Sequence, residues 1–90
     1  MKPTILIIDD EALVRENLKI VFVMEGYEVV LAENGEKGIS KFSDSEPDVV
    51  LLDVKLPDID GKEVLDRIRK IDNDAVVLIF TGAPGFDDAV

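Results

Sequence analysis

Residues 49–61 read VVLLDVKLPDIDG, and the rest of the chain is organised around this stretch. Its leading apolar residues predict a strand that is buried on both faces. Asp53 stands where that strand ends, and Pro57 and Gly61 mark a loop before a helical pattern begins. A carboxylate at the carboxyl end of a central strand opens into the crevice where α/β sheets bind ligands. An aspartate in this position can also serve only as a turn or cap residue.

The composition predicts one globular domain over residues 1–90. Apolar residues make up 47% of the chain, which suits a packed core rather than disorder. Cysteine and histidine are absent, which excludes disulfides, thiolate metal sites, histidine-based acid–base catalysis and the usual zinc sites. No apolar run approaches the ~20 residues of a membrane span, and no signal peptide opens the chain. We therefore predict a cytoplasmic protein.

The charge balance is strongly acidic, with 20 acidic and 10 basic residues and a net charge of −10. This charge disfavours direct binding of nucleic acid or of an anionic membrane by this chain. It is compatible with binding of a hard cation, although most of these acids are better explained by solubility.

Short apolar runs alternate with helical patterns along the whole chain. We predict strands at residues 5–8, 27–32, 49–52 and 75–80, and helices at residues 12–25, at 36–43 and between 61 and 71. A further helix is predicted to begin near residue 87. The connections are long enough for right-handed parallel crossovers. This β-α-β-α-β-α-β order predicts an open-sheet α/β fold.

Local signals mark several element ends. Gly26 is predicted to follow the first helix as its C′ residue, and Asn34 with Gly35 to form a turn and cap the second helix. Glu28 lies inside the second predicted strand, which suits a strand at the edge of a sheet. Asp10 either caps the first helix or belongs to a functional site.

Side chains that suit a phosphoryl site follow three of the predicted strands. In the expected sheet, neighbouring strand ends deliver Asp9, Asp10, Asp53 and Thr81 to one edge. Three carboxylates so close together repel one another and stay ionised only around a cation, for which Mg²⁺ with all-oxygen ligands is best suited. Asp53 is then a candidate nucleophile for acyl-phosphate formation, and the Thr81 hydroxyl can hydrogen-bond a phosphoryl oxygen.

Three pieces of the sequence carry a resemblance to a known family. They are ILIIDDE at residues 5–11, LLDVKLPDIDG at 51–61 and IFTG at 79–82. In this order and spacing they resemble the receiver domain of two-component response regulators, and the match runs through the whole chain. The resemblance implies a flavodoxin-like parallel sheet with strand order 2-1-3-4.

The resemblance also implies a role for each site residue. Asp53 would be the phosphoacceptor, and Mg²⁺ would be bound by Asp10, Asp53 and the backbone carbonyl of Lys55, with Asp9 acting mainly through water. Thr81 would be the switch residue that closes on the phosphoryl group. The donor would be a phosphohistidine on a sensor histidine kinase or a phosphotransfer protein. A phosphoacceptor of this kind is not itself classed as an enzyme.

The chain departs from the family pattern at its carboxyl end. Receivers continue through a fourth helix, a fifth strand that ends in Lys-Pro, and a fifth helix, whereas this sequence stops at Val90. Neither Lys62 nor Lys70 occupies the position of the family's lysine, so no catalytic lysine is assigned. We therefore expect a truncated receiver that lacks the fifth strand and the fifth helix and is impaired in switching.

The same residues are compatible with other functions. The chain could be an interaction or dimerisation fragment that keeps the acidic site but does not switch. A phosphatase of the aspartyl-phosphate kind is weaker, because Lys55 stands where those enzymes have a second aspartate. Dinucleotide binding is weaker still, because no glycine-rich turn follows Ile8.

Two apolar surfaces predict self-association. On the first helix the apolar residues span an arc of roughly 200°, whereas a surface helix needs only ~100° or somewhat more. The strand at 75–80 is as apolar as a central strand, with nothing expected to pair beyond it. We therefore predict a homodimer or larger assembly through residues 75–80 or the helix at 13–24.

Overall fold

The computed structural model describes residues 1–80, and the predictions for Thr81 and for a helix near residue 87 lie outside this range. Strands and helices alternate strictly. The strands are β1 (Thr4–Ile8), β2 (Glu28–Ala32), β3 (Val49–Asp53) and β4 (Val77–Phe80), and the helices are α1 (Ala12–Met24), α2 (Gly35–Ser45) and α3 (Gly61–Ile71). The predicted α/β order is confirmed.

The four strands form one parallel sheet in the order β2-β1-β3-β4, as the family resemblance implied. In the register of the sheet, Ile8 lies beside both Ala32 and Leu52, and Asp53 lies beside Phe80. The carboxyl ends of all strands therefore meet at one edge. The position of β2 at the border of the sheet confirms the prediction from Glu28, which is exposed.

The core lies mainly between the sheet and the pair α2 and α3. Its buried side chains are Leu6, Ile8, Ala32, Phe42, Val50, Leu52, Val64 and Ile68. Complete burial of an aliphatic side chain of this kind contributes roughly 1.5–3 kcal/mol. Ile5 and Ile7 are buried as well, on the opposite face of β1, which confirms that this strand is covered on both sides.

The second helix is longer than predicted. The Asn34 side chain accepts a hydrogen bond from the Lys37 amide at 2.8 Å, which confirms the predicted cap and includes Gly35 in the first turn. The helix then continues to Ser45 and ends at Glu46, whose φ of 46° is left-handed. The predicted end of this helix at residue 43 was therefore wrong, because the next two residues complete its last turn.

The outer strands begin later than predicted. The amide of Ala75 donates to the carbonyl of Asp72 at 3.1 Å, so Ala75 closes a turn and β4 starts at Val77. In β2, the first residue is Glu28 rather than Tyr27. The aromatic ring of Tyr27 instead meets Phe22 edge to face, with the ring centroids 5.4 Å apart.

One end of α1 confirms a prediction, and the other end contradicts one. Gly26 follows the helix with a φ of 94°, a conformation that glycine adopts without steric penalty. The cap position at the other end is occupied by Glu11, and no side chain caps the helix there. The alternative that Asp10 caps α1 is therefore wrong. Of the two roles considered for Asp10, the functional site is the one that this finding leaves.

Apolar side chains remain exposed on α1 and β4 in the part of the chain that the structure describes. No residue of α1 is buried, and the exposed fractions of Leu13 and Ile20 are 69% and 60%. On β4, Leu78 and Ile79 are about half exposed, on opposite faces of the strand. The broad apolar arc of α1 is thus present but only partly covered. Among residues 1–80, no helix combines the length and the apolar composition that crossing a membrane requires.

Candidate functional site

The carboxyl ends of β1 and β3 bring three predicted site residues together. Asp53 is the last residue of β3, and Asp9 and Asp10 directly follow β1, its neighbour in the sheet. One carboxylate oxygen from each lies within 4.8 Å of the others. Asp9 and Asp53 are buried, with exposed fractions of 3% and 6%, whereas Asp10 is exposed. These three residues are called the acidic cluster below.

Backbone amides two residues further along the chain orient the buried carboxylates. The amide of Glu11 donates to Oδ1 of Asp9 at 2.8 Å, and the amide of Lys55 donates to Oδ1 of Asp53 at 3.1 Å. Each aspartate thus accepts a hydrogen bond from the loop that follows its own strand, and this bond fixes the first turn of that loop. The Lys55 side chain is exposed, so the structure links this residue to the site through its backbone.

Three negatively charged side chains lie close together in the acidic cluster. Burial raises the pKa of Asp9, and the charges of Asp53, Asp10 and Glu11 raise it further, against a lowering by the hydrogen bond from the Glu11 amide. The cluster is therefore short of positive charge. Carboxylate oxygens at this spacing are the donors that a hard divalent cation prefers, so these residues fit the predicted Mg²⁺.

Arg15 is a neighbour of the cluster that sequence reasoning missed. From the first turn of α1, its Nη1 atom donates to the backbone carbonyl of Asp9 at 2.9 Å, in a partly buried contact. It thereby ties the helix to the loop that carries Asp9 and Asp10. A single cation close behind three consecutive acids was the available signal in the sequence.

Asp58 is a second residue that sequence reasoning missed. Its Oδ1 accepts a hydrogen bond from the amide of Gly35 and its Oδ2 one from the amide of Glu36, both at 2.9 Å. Burial raises the pKa of Asp58, but hydrogen bonds from backbone amides, those of Glu36 and Gly35 foremost, together outweigh it and hold the pKa below its usual value. The residue therefore joins the loop after β3 to the first turn of α2.

Close contacts at two glycines fix the same loop. At Gly61, an added Cβ would lie 2.8 Å from the Cα of Val54, and the Gly61 amide donates to the Val54 carbonyl at 3.3 Å. At Gly35, an added Cβ would lie 2.5 Å from Cγ1 of Ile59. The loop between β3 and α3 therefore closes on itself at its base and contacts α2 at its tip.

Comparison with known proteins places these features in a family. A sequence profile of the response regulator receiver domain matches residues 5–90. The transcriptional regulatory protein TrcR of Mycobacterium tuberculosis is 37% identical over 86 residues, which cover 96% of this chain and 34% of TrcR. The chain thus spans about a third of the length of this curated relative.

Two solved structures share the fold. One is the response regulator TrrA of Thermotoga maritima in complex with Mg²⁺-BeF, with a TM-score of 0.87, 41% identity, and coverage of 100% of this chain and 77% of TrrA. The other is the complex of the histidine kinase ThkA with TrrA, with a TM-score of 0.85, 43% identity, and coverage of 96% of this chain and 73% of the matched chain. Both agree with the sheet described above.

Proposed function

The chain belongs to the response regulator receiver domain family, and from this membership we propose that it accepts a phosphoryl group on Asp53. The observation that carries the proposal is the acidic cluster, in which a buried carboxylate at the end of β3 meets two others at the end of β1. TrrA, which is 41% identical, was solved with Mg²⁺ and the phosphoryl mimic BeF, so a related fold holds both groups.

Asp53 is the proposed nucleophile of a phosphoryl transfer. One of its carboxylate oxygens forms a bond to phosphorus while the P–N bond of a phosphohistidine breaks. The electron pair of that bond stays with the imidazole, which takes up a proton. The Lys55 amide holds the carboxylate in one orientation for this attack. Thr81, which lies outside the described residues, is proposed to hydrogen-bond the transferred group.

Four residues are proposed to hold Mg²⁺. Asp10, Asp53 and the Lys55 carbonyl would be direct ligands, and Asp9 would act mainly through water. When bound, the cation neutralises negative charge on the phosphoryl oxygens. The protein supplies a cluster in which burial and the neighbouring carboxylates disfavour the ionised, cation-free state, as the raised pKa of Asp9 reflects.

The proposed donor is a sensor histidine kinase or a phosphotransfer protein. The likeness to the complex of ThkA with TrrA supports this class of partner. The chain would then act as a phosphoacceptor in the cytoplasm rather than as an enzyme with a separate substrate.

Phosphorylation of Asp53 can be tested with a small-molecule donor. The chain is incubated with MgCl₂ and acetyl phosphate, and the acid-labile mass gain of one phosphoryl group is measured; beryllofluoride binding is followed by ¹⁹F NMR. We expect both signals to disappear in Asp53→Asn. They should persist in the control Asp66→Asn, which changes an exposed carboxylate of α3 that pairs with Lys62 at 3.6 Å. Equal modification of Asp53→Asn and the unmodified chain would refute the site.

The cation is tested separately by calorimetric titration with MgCl₂. Asp10→Asn removes one proposed ligand charge at an exposed position, so the fold should be little affected. We expect the affinity to fall by about 10-fold or more, since a lost charged contact is worth roughly 1.5–3 kcal/mol. An unchanged dissociation constant in this variant contradicts the assignment of Asp10.

We also propose that the chain associates with a second copy of itself. Among residues 1–80, β4 pairs with β3 along one edge, and no strand pairs with its other edge. Leu78 and Ile79 are half exposed on its two faces, so a second β4 could add backbone hydrogen bonds and bury apolar area together. A strand pairing with its own copy gives a two-fold arrangement. The exposed side of α1 is the alternative contact.

Single lysine substitutions distinguish the two contacts. Leu78→Lys should lower the solution mass towards that of a monomer if β4 forms the contact, and Ile20→Lys should do so if α1 does, since either places a charge in an apolar interface. Mass is measured by sedimentation at protein concentrations on the order of tens of micromolar, where a weak dimer of micromolar affinity is populated. Val77 is unsuitable for this test because it packs against the core. A folded monomer under these conditions rules out self-association.

A further inference from the structure

Asp58 has no part in the chemistry proposed above, yet its carboxylate makes two long-range hydrogen bonds. It lies in the loop that follows β3 and accepts from the amides of Gly35 and Glu36, which are 23 and 22 residues away in the sequence. No residue of α2 belongs to the acidic cluster. Asp58 is thus a direct polar link between α2 and the segment that carries Lys55.

The amino end of α2 is capped by two different parts of the chain. Asn34 accepts from the amide of Lys37, while Asp58 accepts from the preceding amides of Gly35 and Glu36. A carboxylate in this position also interacts favourably with the helix dipole. Since these amides would otherwise lack intrahelical partners, the end of α2 and the side chain of Asp58 stabilise each other.

Apolar packing reinforces this link. Ile59, next to Asp58, lies so close to Gly35 that an added Cβ there would be 2.5 Å from its Cγ1 atom. At its base the loop is closed by the amide of Gly61 on the carbonyl of Val54. Between these fixed points lies Lys55, whose amide orients Asp53. A displacement of Asp58 from α2 would therefore release the segment that carries Lys55.

We propose that Asp58 is a positioning residue for the cation site: its bonds to α2 hold the Lys55 backbone where its carbonyl can serve as a ligand. The inference rests on the proposed function, because it needs a cation in the acidic cluster. It extends that function to α2, which gains a role in cation affinity without touching the ion. Because thermodynamic coupling is reciprocal, cation binding should in turn tighten the bonds between Asp58 and α2.

The first test compares Mg²⁺ affinity in matched variants by calorimetry with MgCl₂. We expect the dissociation constant to rise about 10-fold in Asp58→Ala, the low end of effects seen when partners of metal ligands are removed. Asp58→Asn keeps one acceptor and should show a smaller rise. The control is Asp48→Ala, which also removes a carboxylate bound to a backbone amide, that of Thr4 at 2.7 Å, but at the opposite end of the strands. Its dissociation constant should not change.

The second test approaches the link from α2. Glu36→Pro removes the amide that donates to Oδ2 of Asp58, in a first turn that tolerates proline. Because it also removes the ion pair of Glu36 with Arg67, Glu36→Ala is its control. We expect weaker Mg²⁺ binding in Glu36→Pro but not in Glu36→Ala. In the unmodified chain, MgCl₂ should slow hydrogen exchange at the amides of Gly35 and Glu36 by a larger factor than at the amide of Thr4, which Asp48 holds at the opposite end of the strands, whereas a merely structural role of Asp58 would slow all three alike.

The outcomes separate the two proposals. If the unmodified chain binds Mg²⁺ and Asp58→Ala binds it equally well, the positioning role is wrong and the proposed function stands. If the unmodified chain does not bind Mg²⁺, both are wrong. If Asp58→Ala does not fold, Asp58→Asn and Glu36→Pro decide: unchanged affinity in both overturns the inference, and weakened affinity supports it. Equal losses of affinity in Asp58→Ala and Asp48→Ala would show a general loss of stability and would also overturn it.

Discussion

Hydrogen bonds hold Asp9 in place, although its surroundings disfavour the ionised form of its side chain. Its Oδ1 atom accepts from the Glu11 amide, and its backbone carbonyl accepts from Arg15. Its charge, however, is buried beside those of Asp53 and Asp10, which raises its pKa. In the absence of a cation, the ionised carboxylate therefore lowers the stability of the fold at neutral pH.

Asp9→Asn should consequently stabilise the cation-free protein. The amide oxygen of asparagine can keep the hydrogen bond from Glu11, while neither the burial of a charge nor the repulsion remains. We expect the free energy of unfolding, from urea titration with EDTA, to exceed that of the unmodified chain. With MgCl₂ the advantage should shrink, since the cation stabilises the unmodified chain more. A variant that is less stable than the unmodified chain in EDTA would contradict this account.

At the scale of elements, the loop between β3 and α3 requires glycine at position 61, because the atoms that lie nearest to it belong to the backbone. A Cβ at position 61 would lie 2.8 Å from the Cα of Val54 and 3.3 Å from the carbonyl oxygen of Asp53. Backbone atoms cannot turn aside as a flexible side chain can. The junction of β3 with α3 thus has room only for hydrogen at this position, which places α3 directly against the strand end.

Gly61→Ala should therefore disturb both the fold and the site. We expect a loss of about 1–3 kcal/mol in the free energy of unfolding, as for other overpacked positions, and weaker Mg²⁺ binding. Gly26→Ala is the matched control, since it strains a positive φ of 94° after α1 and has nothing within 4 Å of the new Cβ. It should lose stability but keep Mg²⁺ affinity. Unfolding and MgCl₂ titration measure both, and unchanged Mg²⁺ binding in Gly61→Ala would contradict the role of the junction.

At the scale of the whole molecule, the net charge of −10 opposes compaction. The ion pairs among residues 1–80 are exposed and contribute little: they join Lys37 to Glu33, Lys62 to Asp66, and Arg67 to Glu36 and Glu63. Screening of the general repulsion should therefore outweigh the weakening of these pairs. Much of the repulsion is spread over the surface, and the share in the acidic cluster should respond specifically to a divalent cation.

Salt should accordingly raise the melting temperature in two distinguishable ways. In EDTA, NaCl should raise it through screening, with most of the effect complete once the Debye length falls below ~10 Å at about 0.1 M. MgCl₂ at matched ionic strength should add a further increase that is absent in Asp53→Asn. Thermal unfolding followed by circular dichroism measures both. A melting temperature that falls with NaCl would show that ion pairs outweigh the repulsion.

The sequence predicted the features that depend on short patterns. Continuous apolar runs located β1 and β3, and the residues that follow them located the acidic cluster. Asp58 and Arg15 were missed because their partners are set by the approach of separate elements, 23 residues apart in the case of Asp58 and Gly35. The start of β4 was missed because the apolar residue Ala75 is used by a turn, which composition alone does not reveal.

The central position of β1 has a consequence for synthesis on the ribosome. Its partner β2 follows soon, but its other partner, β3, begins only at Val49, in register with Ile5. Roughly twenty residues separate the end of β2 from the end of β3, which at ~5–20 residues per second leaves about 1–4 seconds. During that interval one edge of a strand with apolar side chains on both faces is unpaired in the nascent chain. Codon changes that slow translation between residues 32 and 53 should therefore increase aggregation of this protein during expression.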